Sequence, residues 1–266
     1  MPEGDTIHKV AAFMHPLLQG KRLHTVIMGR AKVPELTERC IARVDAVGKH
    51  LLVHLTGWVL RVHLGMHGSW HSYGTGERWQ RPRWQASVEL HTESHVFVCF
   101  NAQDVECYRP EEVVQSPVAR LGPDLLAADC DFAEIIKRAR RLPEKTPLVD
   151  ILLTQSLSCG IGNVYKNDLL FMYRLHPLTP QDALSDTQLE EIFQTARRLL
   201  LSNLGGWRRT TTYDRREKDL GLNVPRLFVY GHVRCQVCNT ALMKKILGKQ
   251  RRQTFWCPTC QPLRAI

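Results

Sequence analysis

Cys235-Gln236-Val237-Cys238 and, 18 residues further on, Cys257-Pro258-Thr259-Cys260 decide how the C-terminal end of this chain folds. A tetrahedral Zn2+ takes four thiolates, and each Cys-x2-Cys turn delivers two of them to one ion. The pairs predict a closed structural site of Cys235, Cys238, Cys257 and Cys260, in which one Zn2+ holds a small fold together and does no chemistry. The chain has nine cysteines. The other five, Cys40, Cys99, Cys107, Cys130 and Cys159, lack ligand spacing and read as small buried hydrophobes, since a reducing compartment disfavours a disulfide framework.

Around this module the charge is lopsided. Arg197 to Arg252 holds 14 basic residues against 3 acidic ones, while the whole chain carries +10, so the remainder is close to neutral. A chain basic in one region is suited to meet a polyanion. Its 266 residues exceed the ~150-residue prior for one domain, which predicts two domains or one plus an appended module. Hydrophobic residues at 44% and charged residues at 23% exclude wholesale disorder. No apolar run approaches the ~20 residues of a membrane span. The start, Met1-Pro2-Glu3-Gly4-Asp5, is acidic and lacks the regions of a secretion signal. The expectation is a cytoplasmic monomer with no membrane partner.

Ile7, Val10, Ala11, Met14, Leu17 and Leu18 recur at helical spacing, with Asp5 or Thr6 available as N-cap. From Ile41 to Phe100 the period drops to two. Leu51, Val53 and Leu55 alternate, Thr56-Gly57 turns, and Trp58, Leu60, Val62 and Leu64 alternate again. Val96, Val98 and Phe100 form another strand. Beyond the stretch Ser116 to Asp131, helical patterns take over at Phe132–Ala139 and Leu148–Leu152. A third, starting from a Thr187/Glu190 capping box, runs through Leu189, Ile192, Phe193, Ala196, Leu199 and Leu200 to Gly205-Gly206. His63, His67 and His71 lie four apart, but Gly65 and Gly68 place them on strand and loop rather than on one helix face. The order is β-rich, then α, then a zinc module.

Between two helices lies Gly160-Ile161-Gly162-Asn163-Val164-Tyr165. Glycines opening a helix let backbone N–H groups approach an anion at its positive end, and Asn163 can add a donor to a phosphate. An ordinary helix–helix turn has the same glycines, so on these residues alone both readings stand.

Six stretches in order resemble the formamidopyrimidine-DNA glycosylase/endonuclease VIII (Fpg/Nei) family of bifunctional base-excision enzymes. They are Pro2-Glu3-Gly4, Gly48-Lys49-His50-Leu51-Leu52, Leu64-Gly65-Met66-His67-Gly68, Arg120-Leu121-Gly122-Pro123-Asp124, Gly160 to Tyr165, and Arg252 to Gln261 with Cys257-Pro258-x-Cys260. The resemblance implies an α+β multidomain fold: an N-terminal β-sandwich with a long N-terminal helix over residues 1–118, a helix–two-turn–helix domain over 119–222, and a C-terminal four-cysteine zinc β-hairpin over 223–266. It implies damaged DNA as partner, lying between the two halves, and hence a nucleoid-associated protein.

It also implies roles. With Met1 removed, Pro2 becomes a free secondary amine; α-amino groups have pKa values near 8, and a helix N-terminus lowers them further. Attack on deoxyribose C1′ yields an iminium that makes β-elimination of the 3′-phosphate feasible. Glu3 shuttles protons at the sugar. Lys49 and Arg252 contact phosphate and assist catalysis, Arg252 promoting δ-elimination. Met66 wedges into the gap left by an everted nucleotide. Arg120, Gly162 and Asn163 bind the DNA backbone. Two departures stand out: Thr6 replaces a family glutamate, and Asp104-Val105-Glu106-Cys107-Tyr108 stands where Fpg-type enzymes carry an Arg-x-Phe element. The first implies that a secondary proton-handling carboxylate is absent; the second points toward the endonuclease VIII branch and oxidised pyrimidines, or toward a sublineage poorly active on duplex DNA. The alternative is a non-catalytic zinc DNA-binding protein that recognises abasic or distorted DNA.

Overall fold

A computed structural model describes residues 2–206, 208–212 and 225–263. Met1, the basic residues Arg215, Arg216 and Lys218, and the expected boundary at 222/223 lie outside the described residues. The chain divides into two units, Met1–Arg120 and Leu121–Ile266.

In the first unit, α1 (Gly4–Leu18) buries Ile7, Ala11, Met14 and Leu18 along one stripe. It starts earlier than its apolar pattern suggests. Glu3, not Asp5 or Thr6, is the N-cap, and its N–H donates to Thr6 Oγ1 at 3.4 Å in a capping box. Two antiparallel sheets follow. One has the order β2-β1-β7-β8-β6, from β1 (Thr25–Met28), β2 (Ala31–Lys32), β6 (Ser69–Gly74), β7 (Ala86–His91) and β8 (His95–Phe100). The other has the order β3-β4-β5-β9, from β3 (Ile41–Val47), β4 (His50–Leu55), β5 (Trp58–His63) and β9 (Asp104–Tyr108). Alternation explains the sandwich: Leu51, Val53, Leu60 and Val62 from one sheet meet Val26, Val88, Leu90 and Phe97 from the other in a single core with α1. Cys99 and Cys159 are buried as expected, but Cys107 and Cys130 are half-buried and Cys40 is exposed. Cys40 sits in an isolated bridge with Arg22, just before β3 enters the core.

The second unit contains α2 (Phe132–Arg140), α3 (Leu148–Ile151), α4 (Asn163–Met172), α5 (Asp186–Ser202) and a hairpin of β10 (Met243–Leu247) and β11 (Arg252–Trp256). The capping box of α5 is Ser185/Gln188, not Thr187/Glu190: Ser185 keeps extended backbone and accepts from Gln188 N–H at 3.2 Å, whereas Thr187 is already helical.

Helix α4 is buried on every side from Asn163 to Phe171, so its polar residues must find partners inside the protein. Asn163 Nδ2 donates to the Gln253 carbonyl (2.8 Å), Lys166 Nζ to Thr254 Oγ1 (2.7 Å), and Asn167 Oδ1 accepts from Phe255 N–H (2.7 Å). Asp168 accepts backbone N–H bonds from Phe228, Val229 and Tyr230 at 3.0, 3.0 and 3.1 Å, plus the Thr211 hydroxyl. These bonds tie the hairpin and the segment leading to Cys235 onto one helix. Asp168→Ala leaves those donors without their acceptor, the Val229 N–H and the Thr211 hydroxyl in buried positions. At ~1–3 kcal/mol for each buried unsatisfied group, its thermal unfolding midpoint should fall by roughly 5–10 °C in calorimetry.

Candidate functional site

Packing direction places the N-terminus. Gly20 N–H donates to Ile41 O (2.8 Å) and Val44 N–H donates to His15 Nδ1 (3.1 Å), so α1 runs antiparallel to β3. From His15 back to Glu3 the helix climbs ~18 Å; from Val44 forward to Lys49 the strand advances ~16 Å. Both therefore arrive at the same end of the sandwich. There Val47 pairs with His50, and Gly48 at φ +57° opens the two-residue turn that presents half-buried Lys49. Pro2 is half-buried and Glu3 fully buried.

Met66 lies at the same end. His50 pairs with His63 and His63 with Asp104. Two residues beyond His63, Gly65 has φ +64°, and a Cβ there would fall 2.6 Å from Gln103 Cβ. At Gly68 a Cβ would fall 2.4 Å from Leu64 O. The two glycines permit a turn on which Met66 stays 50% exposed.

Behind Lys49 stands a polar cluster that no motif identified. Arg61 is fully buried. Its guanidinium donates to Glu106 (Nε, 3.1 Å), to Asp104, and to His50 Nδ1 (2.9 Å). Arginine only donates, so His50 accepts at Nδ1 and carries its proton on Nε2. Burial, then the neighbouring His63 and Arg61, push the His50 pKa down to about 3. Burial, then Lys49 and Arg61, also lower His63, which lies 4.8 Å from His50 ring to ring. The available signal was polar residues at i, i+2 on adjacent strands: Arg61 and His63 beside Asp104 and Glu106. Asp104 and Glu106, at the place expected for an Arg-x-Phe element, are engaged by Arg61.

In the second unit, Gly162 is the N-cap of α4, and the Asn163 bond to Gln253 brings Arg252 beside that helix start. Asn163 is 6% exposed with one amide hydrogen already committed. Arg120 is exposed at the end of the turn Pro117–Arg120, the last residue of the first unit. The Sγ atoms of Cys235, Cys238, Cys257 and Cys260 lie within 4.8 Å of one another. Cys235–Cys260 is 3.8 Å, and Cys238 is 3.5 Å from both Cys257 and Cys260. A tetrahedron with metal–sulfur bonds of ~2.3 Å has edges of ~3.8 Å, so the cluster fits one metal ion.

Comparison with known proteins agrees with this architecture. The formamidopyrimidine-DNA glycosylase N-terminal domain matches residues 1–105, and the formamidopyrimidine-DNA glycosylase H2TH domain matches residues 121–213. A "Probable endonuclease 8 2" of Streptomyces coelicolor is 35% identical, covering 98% of this chain and 94% of its own. The "DNA-(apurinic or apyrimidinic site) lyase Nei2" of Mycolicibacterium smegmatis is 32% identical over 98% of this chain and 99% of its own. The chain belongs to the formamidopyrimidine-DNA glycosylase/endonuclease VIII family of DNA-repair glycosylases and lyases. In fold it is similar to Lactococcus lactis formamidopyrimidine-DNA glycosylase bound to DNA containing an abasic site, with a TM-score of 0.79, 18% identity, and 98% of this chain and 100% of that chain covered.

A depressed histidine pKa means the unfolded chain binds more protons than the native one between about pH 3 and 6.5. Stability therefore rises with pH across that window and is lost as pH falls through it. His50→Gln keeps an acceptor for Arg61 without the titration. Its stability, measured by urea unfolding, should change less between pH 5 and pH 7 than that of the wild type.

Proposed function

We propose that this protein is a bifunctional DNA glycosylase/AP lyase whose nucleophile is the Pro2 amine, freed by removal of Met1. The observation that carries this reading is the antiparallel packing of α1 on β3, which directs Pro2 and Glu3 to the same end of the sandwich as Lys49. The Pro2 nitrogen bonds to deoxyribose C1′ as the glycosidic C–N bond breaks, and the base leaves with that electron pair and a proton. Glu3 protonates O4′ as the C1′–O4′ bond opens, leaving an iminium. This electron sink acidifies C2′–H; its loss drives cleavage of the C3′–O bond and departure of the 3′-phosphate. Lys49 and Arg252 contact the flanking phosphates, and Arg252 supports the second, δ-elimination. Arg120, the Gly162 N–H at the start of α4 and the second Asn163 amide hydrogen hold the backbone. Met66 fills the gap of the everted nucleotide.

Oxidised pyrimidines are the favoured substrates. The support is Asp104-Val105-Glu106-Cys107-Tyr108 standing where Fpg-type enzymes carry an Arg-x-Phe element, with Asp104 and Glu106 engaged by Arg61. Borohydride reduction on abasic-site DNA tests the reading: a covalent adduct at the N-terminal peptide is expected. Pro2→Gly offers a primary amine and should trap less, while acetylating the terminus should abolish trapping. A trimmed protein that binds the DNA but neither cuts nor traps it leaves the non-catalytic reading.

The four cysteines are assigned to one structural Zn2+, which closes the hairpin that carries Arg252 and supplies no catalytic step. Cys257→Ser should lower bound zinc from one equivalent toward none by elemental analysis. It should also weaken DNA binding, while the β-sandwich keeps its circular dichroism.

A further inference from the structure

The connection from β6 to β7 contains Arg78-Trp79-Gln80-Arg81-Pro82-Arg83-Trp84-Gln85, three arginines and two tryptophans in eight residues, and none of the roles proposed for the chain uses it. Its tryptophans are held differently. Trp79 stacks on Tyr73 (ring centroids 5.9 Å apart, 19°) and meets Phe100 edge-on at 5.8 Å. Arg83 lies over its ring at 5.6 Å and is fixed by a two-pronged pair, at 3.2 and 3.0 Å, to the buried carboxylate of Glu89. Gln80 N–H donates to the Tyr73 hydroxyl at 3.2 Å. The segment is thus anchored to the sheet.

Trp84 points away from this anchor. On the one-turn helix Arg83–Gln85 it is 73% exposed, more than any other tryptophan or phenylalanine among the described residues. Neither Arg78 nor Arg81 is in an ion pair among the described residues. The place also matters. Asn101 N–H donates to Gln85 O at 2.9 Å, and Gln103, on the same β8–β9 turn, packs against Gly65 beside Met66. Trp84 therefore lies at the end of the sandwich that carries Met66 and Lys49.

We infer that Trp84, with Arg78 and Arg81, forms a binding surface for unpaired DNA, in which the indole stacks on an exposed base and the two guanidinium groups take neighbouring phosphates. This rests on the proposed DNA-processing reading and narrows its substrate class to lesions in single-stranded or partly unpaired DNA. An exposed indole on an anchored segment, flanked by cations, suits a strand whose base faces are open. Stacking of this kind tolerates any sequence, because every base has a π-face. In a duplex those faces are already covered by neighbouring pairs, so the indole gains little there.

Fluorescence anisotropy with a labelled oligothymidylate and with a duplex of equal length tests this. Trp84→Ala should weaken single-strand binding about tenfold and duplex binding less than twofold, with Trp84→Phe retaining most of the single-strand affinity. Arg78→Ala combined with Arg81→Ala should flatten the salt dependence of single-strand binding by about one to two phosphate contacts. Unchanged single-strand affinity in Trp84→Ala, or an equal loss on both DNAs, overturns the inference. Trapping of the wild-type protein is read separately: its failure removes the Pro2 chemistry and leaves the anisotropy result to decide this surface.

Discussion

The contact between α1 and β3 is the constraint on which the candidate site depends. Ile7, Ala11, Met14 and Leu18 enter the sandwich core, and the three larger side chains are each worth ~1.5–3 kcal/mol on burial. That apolar stripe fixes the helix in both position and direction. The N-terminal residues are consequently held by the core rather than left as a tail, and the Glu3–Thr6 cap stops the first turn from fraying. A nucleophile needs such placement, because a misplacement of about 1 Å can cost a hundredfold in rate. Hydrophobic packing thus supplies the geometry, and the turn at Gly48-Lys49 supplies charge at the same end.

The second unit solves the equivalent problem with polar groups. Three successive residues of β11, Gln253, Thr254 and Phe255, are matched to Asn163, Lys166 and Asn167 of α4. A slide of one residue along the hairpin would break all three bonds and leave a buried ammonium without its Thr254 partner. Apolar contact alone permits such a slide far more readily, so the polar seam sets the register and with it the position of Arg252. Buried charge is costly to install, and its return here is specificity of docking.

The sequence was most legible where a period or a spacing expresses one physical requirement. Alternating apolar residues located β4, β5 and β8, and the two Cys-x2-Cys turns located a four-thiol cluster. It was least legible where a partner is far along the chain. Arg61 reads as an isolated charge in an apolar strand until β9, more than 40 residues on, supplies Asp104 and Glu106. The α5 cap shows a smaller failure: Ser185/Gln188 and Thr187/Glu190 have the same pattern, and only the backbone conformation distinguishes them. Burial of Asn163, Lys166, Asn167 and Asp168 was hidden for a related reason, since a helix enclosed on all sides has no polar face to reveal its orientation.

The departures from the family pattern share a physical theme. Thr6, in place of a carboxylate, serves as the acceptor that starts α1. Asp104 and Glu106, in the stretch where an Arg-x-Phe element was expected, pair with a buried guanidinium that also holds His50 in one tautomer next to Lys49. In both places the side chain is engaged by the scaffold itself. Met66 and Trp84 supply exposed apolar surface at this end, both on connections braced by the β8–β9 turn.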